Sequence, residues 1–94
     1  MDFPFKEELQ GDKRIRTFSP DVDEEELVWH RDEADRIVKV IRSEGWYLQM
    51  DDKLPRSLDV GKSYWIPMHS WHRILKRKSC TELVVEITEF KTHQ

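Results

Sequence analysis

From residue 26 onward, hydrophobic positions come in short runs separated at close intervals by polar or turn-forming residues. Leu27 to Arg31 reads as a first strand. Asp35 to Arg42 (DRIVKVIR) is rich in β-branched residues, which fit a pleated, half-buried surface. Ser43-Glu44-Gly45 is a turn signal, Gly45 to Met50 follows as a strand, and Asp51-Asp52-Lys53 turns the chain again. Leu54 to Val60 carries Pro55, which has no N–H for a ladder, so an edge or irregular strand is expected. After Gly61-Lys62, Ser63 to Pro67 and His72 to Leu75 flank a corner. Lys76 to Cys80 is polar, and Glu82 to Phe90 is the final strand, with Leu83, Val85 and Ile87 alternating with Val84, Glu86 and Thr88. Toward the N-terminus, Arg14 to Phe18 alternates and breaks at Ser19-Pro20. Residues 1–13 read as a polar, peripheral extension with Phe3 and Phe5 as anchors, and Asp21 to Glu26 as a solvated acidic loop. A helix can be drawn through DEEELVWHRDEADRIVKVI, but the run IVKVI favours strands. About eight short strands with frequent turns imply an all-β sandwich or barrel.

Composition narrows the class. A chain of 94 residues is expected to form one small domain, residues 1–94. Hydrophobic and charged residues each make up 37%, and no apolar run approaches the roughly 20 residues that span a bilayer. The segment MDFPFKEELQGDKR has no apolar core of a secretory signal, so a cytoplasmic protein is expected. The single cysteine, Cys80, rules out a disulfide framework and a Cys-type zinc site; a catalytic thiol is not expected there, with no general base identifiable nearby. A net charge of -3 argues against nucleic acid as a partner, and the basic stretch His72 to Lys78 lacks interleaved aromatics. Four tryptophans are more aromatic surface than a small core readily hides, so a homodimer is expected.

Candidate chemistry gathers at the histidines. His93 lies in the C-terminal KTHQ and reads as a surface residue. His30 and Asp32 are two apart, so in a strand both project from one face. An imidazole and a carboxylate side by side suit a borderline transition metal, and His72 from a neighbouring strand would complete a two-His, one-carboxylate set with open positions, the ligand set of non-haem Fe(II). Gly61, Pro67 and His72 form G-x5-P-x4-H, in which glycine allows the turn before a strand and proline stops the strand at a corner. There is no P-loop and no nucleophile-elbow serine.

These residues resemble the cupins, a family of jelly-roll β-barrels. Gly61, Pro67 and His72 fall at the glycine, proline and metal histidine of the family's second motif, G-x5-P-x-G-x2-H-x3-N; His69 stands at its second glycine and Lys76 at its asparagine. In the first motif, G-x5-H-x-H-x3/4-E-x6-G, His30 matches the first histidine. Asp32 replaces the second, Arg36 the glutamate, Ser43 the closing glycine and Glu24 the opening one. The resemblance spans about residues 24–88. WHRDEADR, GWYLQMDDKLP and IPMHSWHR are also similar to short cupin-like proteins of tailed phages, which would place the protein in a host cytoplasm.

The resemblance implies a jelly roll of about eight antiparallel strands and a metal held by His30, Asp32 and His72. Fe(II) comes first by ligand set, with Zn, Ni or Mn also fitting, and small-molecule dioxygenation is the reaction analogy suggests. Asp35 and His69 are further ligand candidates. Arg36 is the position that decides: filling the centre, it would exclude a metal; pairing with Asp32 or Asp35, it would make the site a structural salt bridge with no metal bound; pointing into the cavity, it would grip an anionic small molecule. Gln49 and Tyr47 alternate with Trp46 and Leu48. The polar pair facing inward would bind substrate, whereas the apolar pair facing inward would fill a core. Two other functions stay open: a metal-free module gripping an anion through Arg36, Gln49 and His72, and a metal-free isomerase or epimerase in which His72 or His30 is a base oriented by Asp32.

Overall fold

The structure is a computed structural model and describes residues 4–90, so Phe3 and His93 lie outside the described residues. Eight antiparallel strands make two sheets: β1 (Lys6–Gln10), β2 (Lys13–Phe18), β3 (Asp35–Arg42), β4 (Trp46–Met50), β5 (Arg56–Ser57), β6 (Ser63–Ile66), β7 (His72–Lys76) and β8 (Leu83–Phe90). One sheet has the order β1-β2-β8-β3-β6 and the other β5-β4-β7. This is the expected jelly roll. A 3-10 turn, Glu24–Glu26, capped by the Asp23 carboxylate, interrupts the acidic run. No helix of the described residues is long and apolar enough to cross a membrane.

The inner faces follow the alternation. Trp46, Val40 and Leu83 are the most deeply buried large side chains, joined by Leu48, Tyr64, Ile66, Val85 and Ile87. The Trp46 indole N–H donates to the Thr81 carbonyl at 2.7 Å, so its one polar atom is satisfied inside the core. Trp46 and Leu48 therefore take the inward face of β4, and Tyr47 and Gln49 point away from the core. The larger apolar pair wins because burying it gains more free energy than enclosing an amide and a phenol that would each need partners.

Two expectations are corrected. Residues 6–10, expected to be a peripheral extension, are strand β1, paired along its length with β2 from Lys6–Thr17 to Gln10–Lys13. The signal was the two-residue turn Gly11-Asp12, where Gly11 has φ +64°, the conformation a tight hairpin demands. Conversely, Leu27 to Arg31 is not a strand: it is an extended segment joined to β7 by one bridge, His30 to His72. The ladder stops because the next acceptor, the Asp32 carbonyl, bonds the His69 amide in the corner before β7.

Candidate metal centre

His72 opens β7 and is buried, with its side chain on the inner face. His30 is brought against it by two backbone hydrogen bonds of 2.9 Å, one in each direction, and the two rings meet edge-on with centroids 4.2 Å apart. The same tripeptide stands on both sides of the bridge: Trp29-His30-Arg31 runs antiparallel to Trp71-His72-Arg73. Opposite each other across it, Arg73 lies over Trp29 (4.6 Å) and Arg31 over Trp71 (5.4 Å). Two cation–π stacks thus bracket the histidine pair. The ligand atoms of His30, Asp32 and His72 all lie within 4.8 Å of one another.

Hydrogen bonding fixes the tautomers. His30 Nδ1 lies 3.1 Å from the Val28 carbonyl and His72 Nδ1 2.9 Å from the Ser70 carbonyl. A carbonyl only accepts, so each Nδ1 carries the proton, and in the neutral ring each Nε2 is left with a lone pair. His72 Nε2 is 3.3 Å from Asp32 Oδ2, an oxygen that is buried and without a hydrogen bond among the described residues. An acceptor facing an acceptor is favourable only with positive charge between them, a proton or a metal ion. The donor set and the orphaned oxygen both fit a divalent metal.

Arg36 enters from β3 and places Nη1 3.3 Å from Asp32 Oδ1 and Nη2 3.7 Å from Glu89 Oε1. The ion pair with Asp32, expected to leave a structural salt bridge and no metal, forms, but on Oδ1 alone; Oδ2 faces His72, and the three ligand atoms still converge. Glu89 was not anticipated. It also pairs with Arg14 at 2.8 Å. The signal was present: continuing the β8 alternation Leu83, Val85, Ile87 by one step reaches Glu89.

Burial favours the neutral carboxyl of Asp32, but with a proton between His72 Nε2 and Oδ2, and Arg36 beside Oδ1, the charged form wins and the carboxyl is held below its usual range. Although His30 is exposed as a residue, burial of its ring lowers its pKa; the bond to Val28 opposes the shift and His72 adds to it. Burial also lowers the Arg36 pKa, with Asp32 opposing. The imidazole of His30 therefore favours the neutral, ligating form.

The other candidates lie elsewhere. His69 Nε2 pairs with the exposed Glu33 at 2.8 Å, and its backbone is left-handed, φ +65°. Glycine would adopt that conformation without strain. Asp35 is not in the cluster; its carboxylate accepts from the Met68 amide at 2.7 Å. Gln49 is not at the cavity either: its amide donates to the Lys53 carbonyl at 3.0 Å and its oxygen accepts from Arg73 at 2.9 Å. Tyr47 shares that outward face. Both substrate-binding expectations for β4 thus give way to Leu48, which lines the cavity with His30, Asp32, Arg36 and His72.

No protein-family model matches the sequence, and no curated protein sequence does. Solved structures do. A cupin-like protein from Thermotoga maritima superposes with TM-score 0.64 at 21% identity, covering 89% of this chain and 65% of that one. A cupin domain from Bordetella pertussis gives 0.61 at 22%, covering 97% and 99%. HppE in its Fe(II) form gives 0.63 at 15%, covering 83% and 41%. This chain spans less than two thirds of the first and the third. The fold is that of a small cupin domain.

Proposed function

We propose that this chain is a metal-binding cupin whose centre is His30, Asp32 and His72, with Fe(II) as its ion and oxidation of a small molecule by dioxygen as its reaction. The observation that carries the reading is the convergence of three ligand atoms within 4.8 Å, with both imidazoles tied by Nδ1 to backbone carbonyls. When bound, such an ion supplies a redox-active Lewis acid with open coordination positions. Zn, Ni and Mn fit the same donors, and the Fe(II) form of HppE among the fold's neighbours favours iron. His30 and His72 offer Nε2, each with its Nδ1 held by a backbone carbonyl. Asp32 supplies the anionic donor through Oδ2 while Arg36 holds Oδ1, and the apolar walls behind them limit water. The reading includes a homodimer, supported by Trp65 and Phe90, whose rings lie 6.2 Å apart and remain 52% and 44% exposed.

A proton in place of a metal between His72 Nε2 and Asp32 Oδ2, 3.3 Å apart, favours a second reading, a metal-free isomerase in which this pair takes and returns the proton. Metal content separates the two. Untagged protein analysed by ICP-MS should carry near-stoichiometric transition metal that disappears in His72→Ala and in the more exposed His30→Ala. No metal in the wild type after anaerobic Fe(II) reconstitution would overturn the metal reading.

A further inference from the structure

The metal centre opens on a cavity of about 430 Å³, a volume suited to a small organic ligand. Side chains of both sheets wall it: Val38, Ile66 and Leu83 from one, Leu48 and Ile74 from the other, with Leu58 between. Apart from Glu26, its polar lining residues are linked to one another: His30 and His72 meet Asp32, Asp32 pairs with Arg36, and Arg16 lies near enough to repel Arg36. Neither arginine turns a free guanidinium fork to a polyanion, although Arg36 Nε is buried without a hydrogen bond among the described residues. Arg16 Nε donates to Glu7 at 2.7 Å with its guanidinium 4.2 Å over the Phe5 ring, and Arg36 lies between Asp32 and Glu89. Arg14 pairs with Glu89, so three arginines face three carboxylates and cancel. A sugar phosphate would need unpaired cations at its phosphate and several polar partners along its body. These walls offer neither.

A divalent ion between two neutral imidazoles and Asp32 adds positive charge to an otherwise balanced end, which one monoanionic oxygen donor would reduce. Resting on the metal reading above, we propose that the cavity binds a single-headed amphiphile: a small molecule with an apolar chain or ring and one monoanionic head, such as a carboxylate. The head lies at the His30–Asp32–His72 end, and the body lies against Val38, Leu48, Leu58 and Ile74.

Octanoate tests this by calorimetry on Zn(II)-loaded protein whose metal content is measured in the same sample. Saturable binding with a negative heat-capacity change is expected, at least tenfold weaker in metal-free protein, with no binding of glucose 6-phosphate. Val38→Phe or Ile74→Phe, each filling the cavity, should keep the metal and lose octanoate; two positions guard against one variant failing to fold. Metal-loaded protein that ignores octanoate, or binds glucose 6-phosphate instead, overturns this proposal and leaves the metal reading standing. Equal octanoate affinity with and without metal overturns the placement of the head. Failure to take up metal overturns both.

Discussion

At the scale of single residues, position in the fold decides which histidines can serve. His30 and His72 face each other with their Nδ1 protons on backbone carbonyls, whereas His69 occupies a left-handed corner and pairs outward with Glu33. His69→Gly should leave metal affinity within twofold and, by relieving a positive φ, change stability by no more than about 1 kcal/mol. Metal titration and urea unfolding check this, and a tenfold loss of affinity would make His69 a ligand after all. The pKa of His30 is lowered in the fold, so the folded chain binds fewer protons than the unfolded one as pH falls through the ordinary imidazole value, about 6.5. Stability is therefore lost with falling pH. The Tm of chelator-treated protein should drop between about pH 7.5 and 5.5, and His30→Gln should shrink that drop. An unchanged profile in the variant would refute the assignment. The HxD spacing and the cupin-like G-x5-P-x4-H made the candidate cluster legible in the sequence. The decisive contact of Arg36 was not legible, because the choice among Asp32, Asp35 and the cavity depends on which carboxylates the opposing strand brings near, and Glu89 was one of them.

At the scale of elements, β3 and β8 were legible because their β-branched runs alternate, and they pair over most of their length. The β1–β2 hairpin was not, because β1 is exposed throughout and shows no apolar periodicity; only Gly11-Asp12 marked it. The 27–31 segment looked like a strand, yet one bridge and two stacks hold it. The repeated Trp-His-Arg tripeptides have a plain physical use: each tryptophan is overlaid by the arginine opposite, which fixes the two histidines in register. Exposed cation–π stacks are worth about 0.5–1 kcal/mol each. Trp29→Ala and Trp71→Ala should each weaken metal binding roughly two- to fivefold, more in combination, with the core fold retained by circular dichroism. Full affinity in the double variant would show that the stacks do not position the site.

At the scale of the whole molecule, the centre joins both sheets: Arg36 and Glu89 come from the five-stranded sheet, His72 from the three-stranded one, and His30 and Asp32 from the segment between them. Metal binding should therefore stabilise the fold as a unit. At a metal concentration a hundred times Kd the gain is about 2.7 kcal/mol, enough to raise Tm by on the order of 10 °C in a domain of this size. Scanning calorimetry should find that rise in the wild type and little of it in Asp32→Asn. A Tm indifferent to metal would separate the cluster from the fold's stability. The most direct test of the centre is the anomalous difference map of a crystal grown with Fe(II) or Mn(II). One peak is expected at about 2.0–2.2 Å from His30 Nε2, an Asp32 oxygen and His72 Nε2 together. No peak there, with His72 Nε2 bonded directly to Asp32 and Arg36 closing the space, would contradict the account.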